Sequence, residues 1–204
     1  MRKFIFAGAM MLSAHAYAGL NGTELSLRTL FQATPMSTPI ITSFERTVAV
    51  SSSTVEFPDV ASLFNPGSNV PPGFALVNVA IDVGNDYVEI DFDNSGAHTR
   101  FASSFENTYV FRFDSAAVVD ITGAQINTDV TTLGLAPSDV RFTGNELFIN
   151  VDSLSFNPTT FARIDLLVQG GPPPIPEPAT YAMLLAGLAM VGWYAPIRRR
   201  NKMA

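Results

Sequence analysis

Carboxylates are the most numerous reactive groups in residues 19–170, and two of them flanking a bound sugar could supply the acid and base of glycoside hydrolysis. The candidates are Asp82, Glu89, Asp91, Asp93, Asp114, Asp120 and Asp152. Most fall in the polar phase of alternating apolar segments, where a solvent-facing acid belongs without any catalytic task. Nucleophilic catalysis has fewer parts to draw on. His15 sits in a segment expected to be removed, which leaves His98 as the one histidine of the mature chain, and there is no cysteine. Ser103 and Ser104 are near it in sequence, but no G-x-S-x-G turn presents a serine to a base. His98 follows a glycine-containing turn and reads as a solvated loop residue.

Asp91-Phe92-Asp93-Asn94-Ser95-Gly96 has the opening of a calcium loop, with oxygen donors alternating up to a glycine turn. The twelfth position of that loop is Ala102, where a bidentate glutamate is required, so an EF-hand is excluded. A cation site of another kind would need Asp86 or Glu106 to join these acids. No catalytic residue, metal ligand or cofactor is assigned on this evidence, and the chain is expected not to be an enzyme.

The elements that would position these groups are strands. Val77, Val79, Ile81 and Val83 alternate with polar or small residues, and Gly84-Asn85-Asp86 supplies a turn before Val88, Ile90 and Phe92 alternate with Glu89 and Asp91. This reads as a β-hairpin. Tyr109, Phe111 and Phe113 form one face of a further strand, with Val119 and Ile121 beyond it. Val140 and Phe142 are separated by Gly144-Asn145 from Leu147, Ile149 and Val151, and Ile164, Leu166 and Val168 close the series. Short strands at these intervals predict an all-β fold, a single antiparallel β-sandwich of jelly-roll-like type spanning residues 19–170. Residues 19–75 are broken by Pro35, Pro39, Pro58, Pro66, Pro71 and Pro72; Val48, Val50, Val55 and Phe57 suggest one or two strands among long loops.

Composition limits what such a domain can bind. Its six arginines, no lysine and seventeen acids give a net charge of −11, which excludes nucleic acid or anionic lipid as an electrostatic partner. Without cysteine it must stand on its own core, and ~150 residues bury about two thirds of their surface on folding.

Both ends of the chain carry a different kind of information. Arg2-Lys3, an apolar run over residues 4–12 and Ala16-Tyr17-Ala18 make a secretory signal peptide, residues 1–18, with signal peptidase cutting after Ala18 in the A-x-A site formed by Ala16 and Ala18. Residues 171–178 are a Gly/Pro linker that turns polyproline-like and ends in Pro176-Glu177-Pro178. Residues 179–197 carry no formal charge over nineteen positions. As a helix they would extend about 28 Å, against ~30 Å for a bilayer core, and so form one C-terminal transmembrane helix. Pro196 falls near its end, and Trp193 and Tyr194 suit the inner interface. Residues 198–204, with Arg198, Arg199, Arg200 and Lys202, are a basic tail held on the cytoplasmic side, so the body faces outward.

The order of triplet, apolar helix and arginines over residues 175–204 resembles the PEP-CTERM sorting signal of Gram-negative bacteria. The resemblance implies Pro176, Glu177 and Pro178 as the sorting motif, with Arg198, Arg199 and Arg200 as its basic end. It also implies an exosortase, a membrane-embedded cysteine transpeptidase, that cuts near the triplet and passes the protein onward. The expected history is export, an inner-membrane-anchored precursor facing the periplasm, then release to the cell surface or extracellular matrix. The partners are then signal peptidase, the exosortase, the inner membrane before processing, and exopolysaccharide, with no nucleic acid. The body reads as a structural or adhesive component linked to a biofilm. The alternative is a carbohydrate-binding β-sandwich with Tyr87 and Tyr109 as a sugar platform, and a glycoside hydrolase comes third.

Overall fold

A computed structural model of the protein describes residues 19–170, apart from Ser68, His98 and residues 115–118. The chain divides into two units at Pro172 and Pro173, and all described residues belong to the first. The expected signal peptide, linker, transmembrane helix and basic tail lie outside the described residues.

Ten strands and two short 3-10 turns are present among the described residues, and no α-helix. In chain order the strands are β1 (Glu24–Gln32), β2 (Ile40–Ile41), β3 (Arg46–Ala49), β4 (Ala80–Val83), β5 (Tyr87–Asp91), β6 (Glu106–Asp114), β7 (Val119–Ile126), β8 (Val140–Thr143), β9 (Glu146–Asn150) and β10 (Phe161–Gly170). One sheet runs β2-β1-β6-β9-β8, with β3 also on β1, and the other runs β4-β5-β10-β7. Every pairing is antiparallel.

The two sheets share one apolar core because each turns the same phase of its alternation inward. Leu25, Leu27, Phe111, Phe113, Leu147 and Ile149 come from the first sheet, and Ile81, Val83, Val88, Ile90, Ile164 and Leu166 from the second, all buried. Burying each such side chain is worth about 1.5–3 kcal/mol, so this shared face outweighs any single polar contact on the surface. Closure at one edge comes from the Ile121 N–H, which donates to the Gly144 carbonyl at 2.7 Å and joins β7 to the β8–β9 turn.

Turn chemistry sets the registers. Thr143 pairs with Glu146 across a two-residue turn, and Gly144 takes φ +55° there, a conformation that suits glycine. At the β4–β5 turn, which pairs Val83 with Val88, the Tyr87 ring lies directly over Gly84, where a Cβ would come within 2.2 Å of it.

Sequence periodicity misses one major element. It places no strand at β1, yet this nine-residue strand is fully paired with β6 on one side and with β2 and β3 on the other. The chain between β2 and β3 breaks its ladder at Ser43, whose Oγ accepts the Thr29 N–H at 2.8 Å and replaces the missing carbonyl. Conversely, Val77 and Val79 are buried but precede β4; Val79 gives its carbonyl to the Val60 N–H in an irregular pairing.

A buried carboxylate holds the long loop in place. Glu56 is 5% exposed; its Oε1 accepts the Ser51 N–H and its Oε2 the Val83 N–H, each at 2.8 Å. Residues 51–56 are thereby tied to β4. Burial pushes the Glu56 carboxyl above its ordinary 4.5, against the opposing pull of the two N–H donors. The folded chain thus keeps this proton to higher pH than the unfolded chain, so the group favours folding most below pH 4.5 and loses that contribution as pH rises through the raised value.

Two outcomes follow for unfolding in urea. The stability of the wild type minus that of Glu56→Gln should fall as pH rises above 4.5, because only the wild type titrates there, and a difference that grows with pH would contradict the burial argument. Phe111→Ala should cost about 3–5 kcal/mol, whereas Phe142→Ala, at a side chain 40% exposed, should cost well under half of that.

Candidate functional site

The outward face of β4, β5 and β10 gathers the acids that periodicity placed in the polar phase. Asp82 pairs with Glu89, Ala80 with Asp91, Glu89 with Arg163, and Asp91 with Phe161, so these side chains share one face of the sheet. Ala80, Asp82, Glu89, Asp91 and Phe161 line, with residues 52–55, an open groove of about 360 Å³, and Arg163 stands beside it on the same face. Glu56 fixes that loop from below through its two backbone contacts.

Two carboxylates directly opposite each other, Asp82 and Glu89, would repel, and Arg163 offsets this. Its Nη1 donates to Glu89 Oε1 at 2.9 Å and its Nε to Asp165 Oδ1 at 2.7 Å, while its guanidinium lies 4.0 Å from the centre of the Tyr87 ring. Burial pushes the Tyr87 phenol up, and the charges of Asp82 and Glu89 add to this while Arg163 opposes them. The Tyr87 hydroxyl donates to Asp82 Oδ2 at a long 3.4 Å. At the other end Asp91 Oδ1 accepts the Asp93 N–H at 2.9 Å. The groove is therefore a solvated row of hydrogen-bond acceptors, with Glu89 already engaged by an arginine.

The remaining acidic candidates are scattered. Asp114 bonds Arg112 Nε at 2.7 Å on β6, and Asp120 is exposed on β7. Asp152 accepts both the N–H and, at 2.8 Å, the hydroxyl of Ser104. Ser103 Oγ accepts from Ser153 Oγ at 2.9 Å. His98 lies outside the described residues.

The acids named for a cation site do not converge. Asp86 lies in the turn before β5 and Asp91 ends that strand, roughly 16 Å apart at 3.3 Å per residue, while Glu106 is bound to Arg141 at 2.6 Å. Among the described residues no group of three histidine, cysteine or carboxylate side chains has the geometry to hold a metal ion.

A sugar platform of Tyr87 and Tyr109 is not formed either. Tyr109 is 4% exposed, with its ring edge-on to Phe101 in the core, and Tyr87 is covered by Arg163. The exposed large aromatics among the described residues are instead Phe44, Phe105 and Phe142. Sequence reasoning also missed the roles of Arg163 and Glu56. The spacing of Arg163 and Asp165, two apart and so on one strand face, was the available signal for the first; nothing local marked the second.

The sorting residues Pro176, Glu177, Pro178, Arg198, Arg199 and Arg200, and the cleavage residues Ala16 and Ala18, lie outside the described residues. No curated protein and no solved structure matches the chain. A family model described as the PEP-CTERM protein-sorting motif matches residues 174–200, from just before the Pro-Glu-Pro triplet through the third arginine, and the chain thus carries the PEP-CTERM sorting signal.

Proposed function

We propose that this protein is a non-enzymatic component of the cell surface or extracellular matrix, delivered there by exosortase processing of a membrane-anchored precursor. The observation that carries the reading is the sorting motif at residues 174–200, which marks a secreted protein handled by an exosortase. The basic end beyond the apolar run favours a precursor whose body faces the periplasm, and the A-x-A site at Ala16 and Ala18 favours a mature start at Gly19.

The body suits cargo of this kind. It is a sandwich-like domain whose chain changes sheet between β3 and β4, β5 and β6, β6 and β7, β7 and β8, and again between β9 and β10, in keeping with a jelly-roll-like type. Its acids face solvent or are engaged by arginines and backbone amides, which supports solubility and attraction of matrix cations more than catalysis. Exopolysaccharide is the partner such a destination implies.

Intact mass of the protein recovered from its native host tests this reading. The product should begin at Gly19 and lack Trp193 and the arginine tail, whereas Glu177→Ala should leave the full C-terminus attached and the protein in the inner membrane. Asp129→Ala, an exposed acid of the body, should be processed normally. Wild-type protein that keeps its arginines would contradict exosortase processing.

A further inference from the structure

A cavity of about 190 Å³ lies where the core gives way to polar residues at one end of the six-stranded sheet. Thr29, Asn107 and Tyr109 occupy the inward phase of β1 and β6 here, continuing the face that buries Leu25, Leu27, Phe111 and Phe113 farther along. Loops around Phe74 and Phe101 complete the wall, and Arg100 stands at its edge, exposed.

Two of these residues are buried along most of their length, with polar ends that make no hydrogen bond to the described residues. Tyr109 is 4% exposed and Asn107 is 9% exposed, and neither the phenol nor the side-chain amide makes a hydrogen bond to any described residue. Among the described residues the side-chain atoms sealed from solvent without a partner are Asn78 Oδ1, Ser95 Oγ and Thr108 Oγ1, so the phenol and the amide open instead onto the space of the cavity. Burial alone pushes the Tyr109 phenol far above its ordinary range, with no hydrogen bond among the causes.

The charge pattern points the same way. Arg28, Arg112, Arg141 and Arg163 are each ion-paired, whereas Arg46 and Arg100 have no ion-pair partner among the described residues, and Arg100 borders this cavity. Its Nε donates to the Ser153 carbonyl at 2.9 Å, which fixes the fork and leaves its terminal nitrogens for a ligand. No carboxylate lines this cavity, although the domain carries seventeen acids. The groove on the other sheet has the opposite character, with three carboxylates and no cation in its wall.

We propose that this cavity binds a single small ring bearing hydroxyl groups and one carboxylate, the chemistry of a uronic acid. The carboxylate meets Arg100, hydroxyls meet the Asn107 amide and the Tyr109 phenol, and the carbon face of the ring lies against Phe74, Leu76 and Phe101. The volume is below the ~300 Å³ at which pockets for drug-sized ligands begin, so one ring fits and two do not. Such a site takes a chain end or a free sugar acid, and it is independent of the sorting signal, so its failure leaves the processing of the chain untouched.

Calorimetric titration of the full-length protein in detergent with glucuronate, glucose and acetate tests the site. Glucuronate should bind saturably in the millimolar range, with glucose and acetate each weaker by about tenfold, the equivalent of ~1.4 kcal/mol. Tyr109→Phe and Arg100→Gln should each weaken glucuronate by about tenfold or more. Tyr109→Phe should also leave the urea midpoint unchanged or raised, because the hydroxyl it deletes makes no hydrogen bond to the described residues. That combination of lost binding and kept stability separates a ligand-binding phenol from a merely structural one. Absence of saturable glucuronate binding, equal binding of glucose, or variants that bind as the wild type would each overturn the proposal.

Discussion

Two apolar sheet faces pressed against each other hold every other feature of this body in place. The chain has no cysteine, so no disulfide constrains its unfolded state, and the period-two alternation must do the whole work of folding. Because side chains alternate strictly, burying Ile81, Val83, Val88 and Ile90 forces Asp82 and Glu89 outward in the same step. The acidic groove is a geometric consequence of the core, and a one-residue slip of β5 would bury its carboxylates.

Electrostatics then settles how an acidic surface can coexist with a compact fold. A net charge of −11 over residues 19–170 keeps such a domain soluble but also repels itself. The arginines answer this locally: Arg28 bridges to Glu146 across β6, Arg112 bridges Glu45 and Asp114, and Arg163 bridges Glu89 and Asp165. Partly exposed pairs of this kind contribute at most about 1 kcal/mol each, so they tune the surface and do not hold the sandwich together. Arg46 and Arg100 stand outside this scheme, and the cavity beside Arg100 has no carboxylate in its wall, unlike the acidic groove of the other sheet.

Much of the fold was legible because hairpins announce themselves locally. The turns at residues 84–86 and 144–145 and the phase of Tyr109, Phe111 and Phe113 could be read from adjacent residues alone. β1 was not, since its leucines lack the β-branched signature of strands, and its outward Ser26 is buried beneath a hydroxyl contact with Thr47 at 2.8 Å. Prolines downstream made the whole segment resemble a loop. The site residues show the same division. Asp82, Glu89 and Asp91 followed from alternation, but the stacking of Arg163 on Tyr87 depends on β10 pairing with β5 across more than seventy residues, and the burial of Glu56 depends on where a loop lands. Tyr109 was assigned to the correct strand but to an exposed platform, although its alternation with Phe111 and Phe113 already placed it on the core face.

We propose that the two kinds of information in this chain, a β body and an address written in a triplet, an apolar run and arginines, are separable and that neither needs the chemistry of the other. The direct measurement of this is transfer of residues 171–204 to the C-terminus of an unrelated exported protein in the same host, with intact mass as the readout. Modularity predicts that the fusion loses Trp193 and the arginine tail as the native protein does. A fusion that retains the whole tail while the native protein is processed would show that the β body takes part in its own sorting.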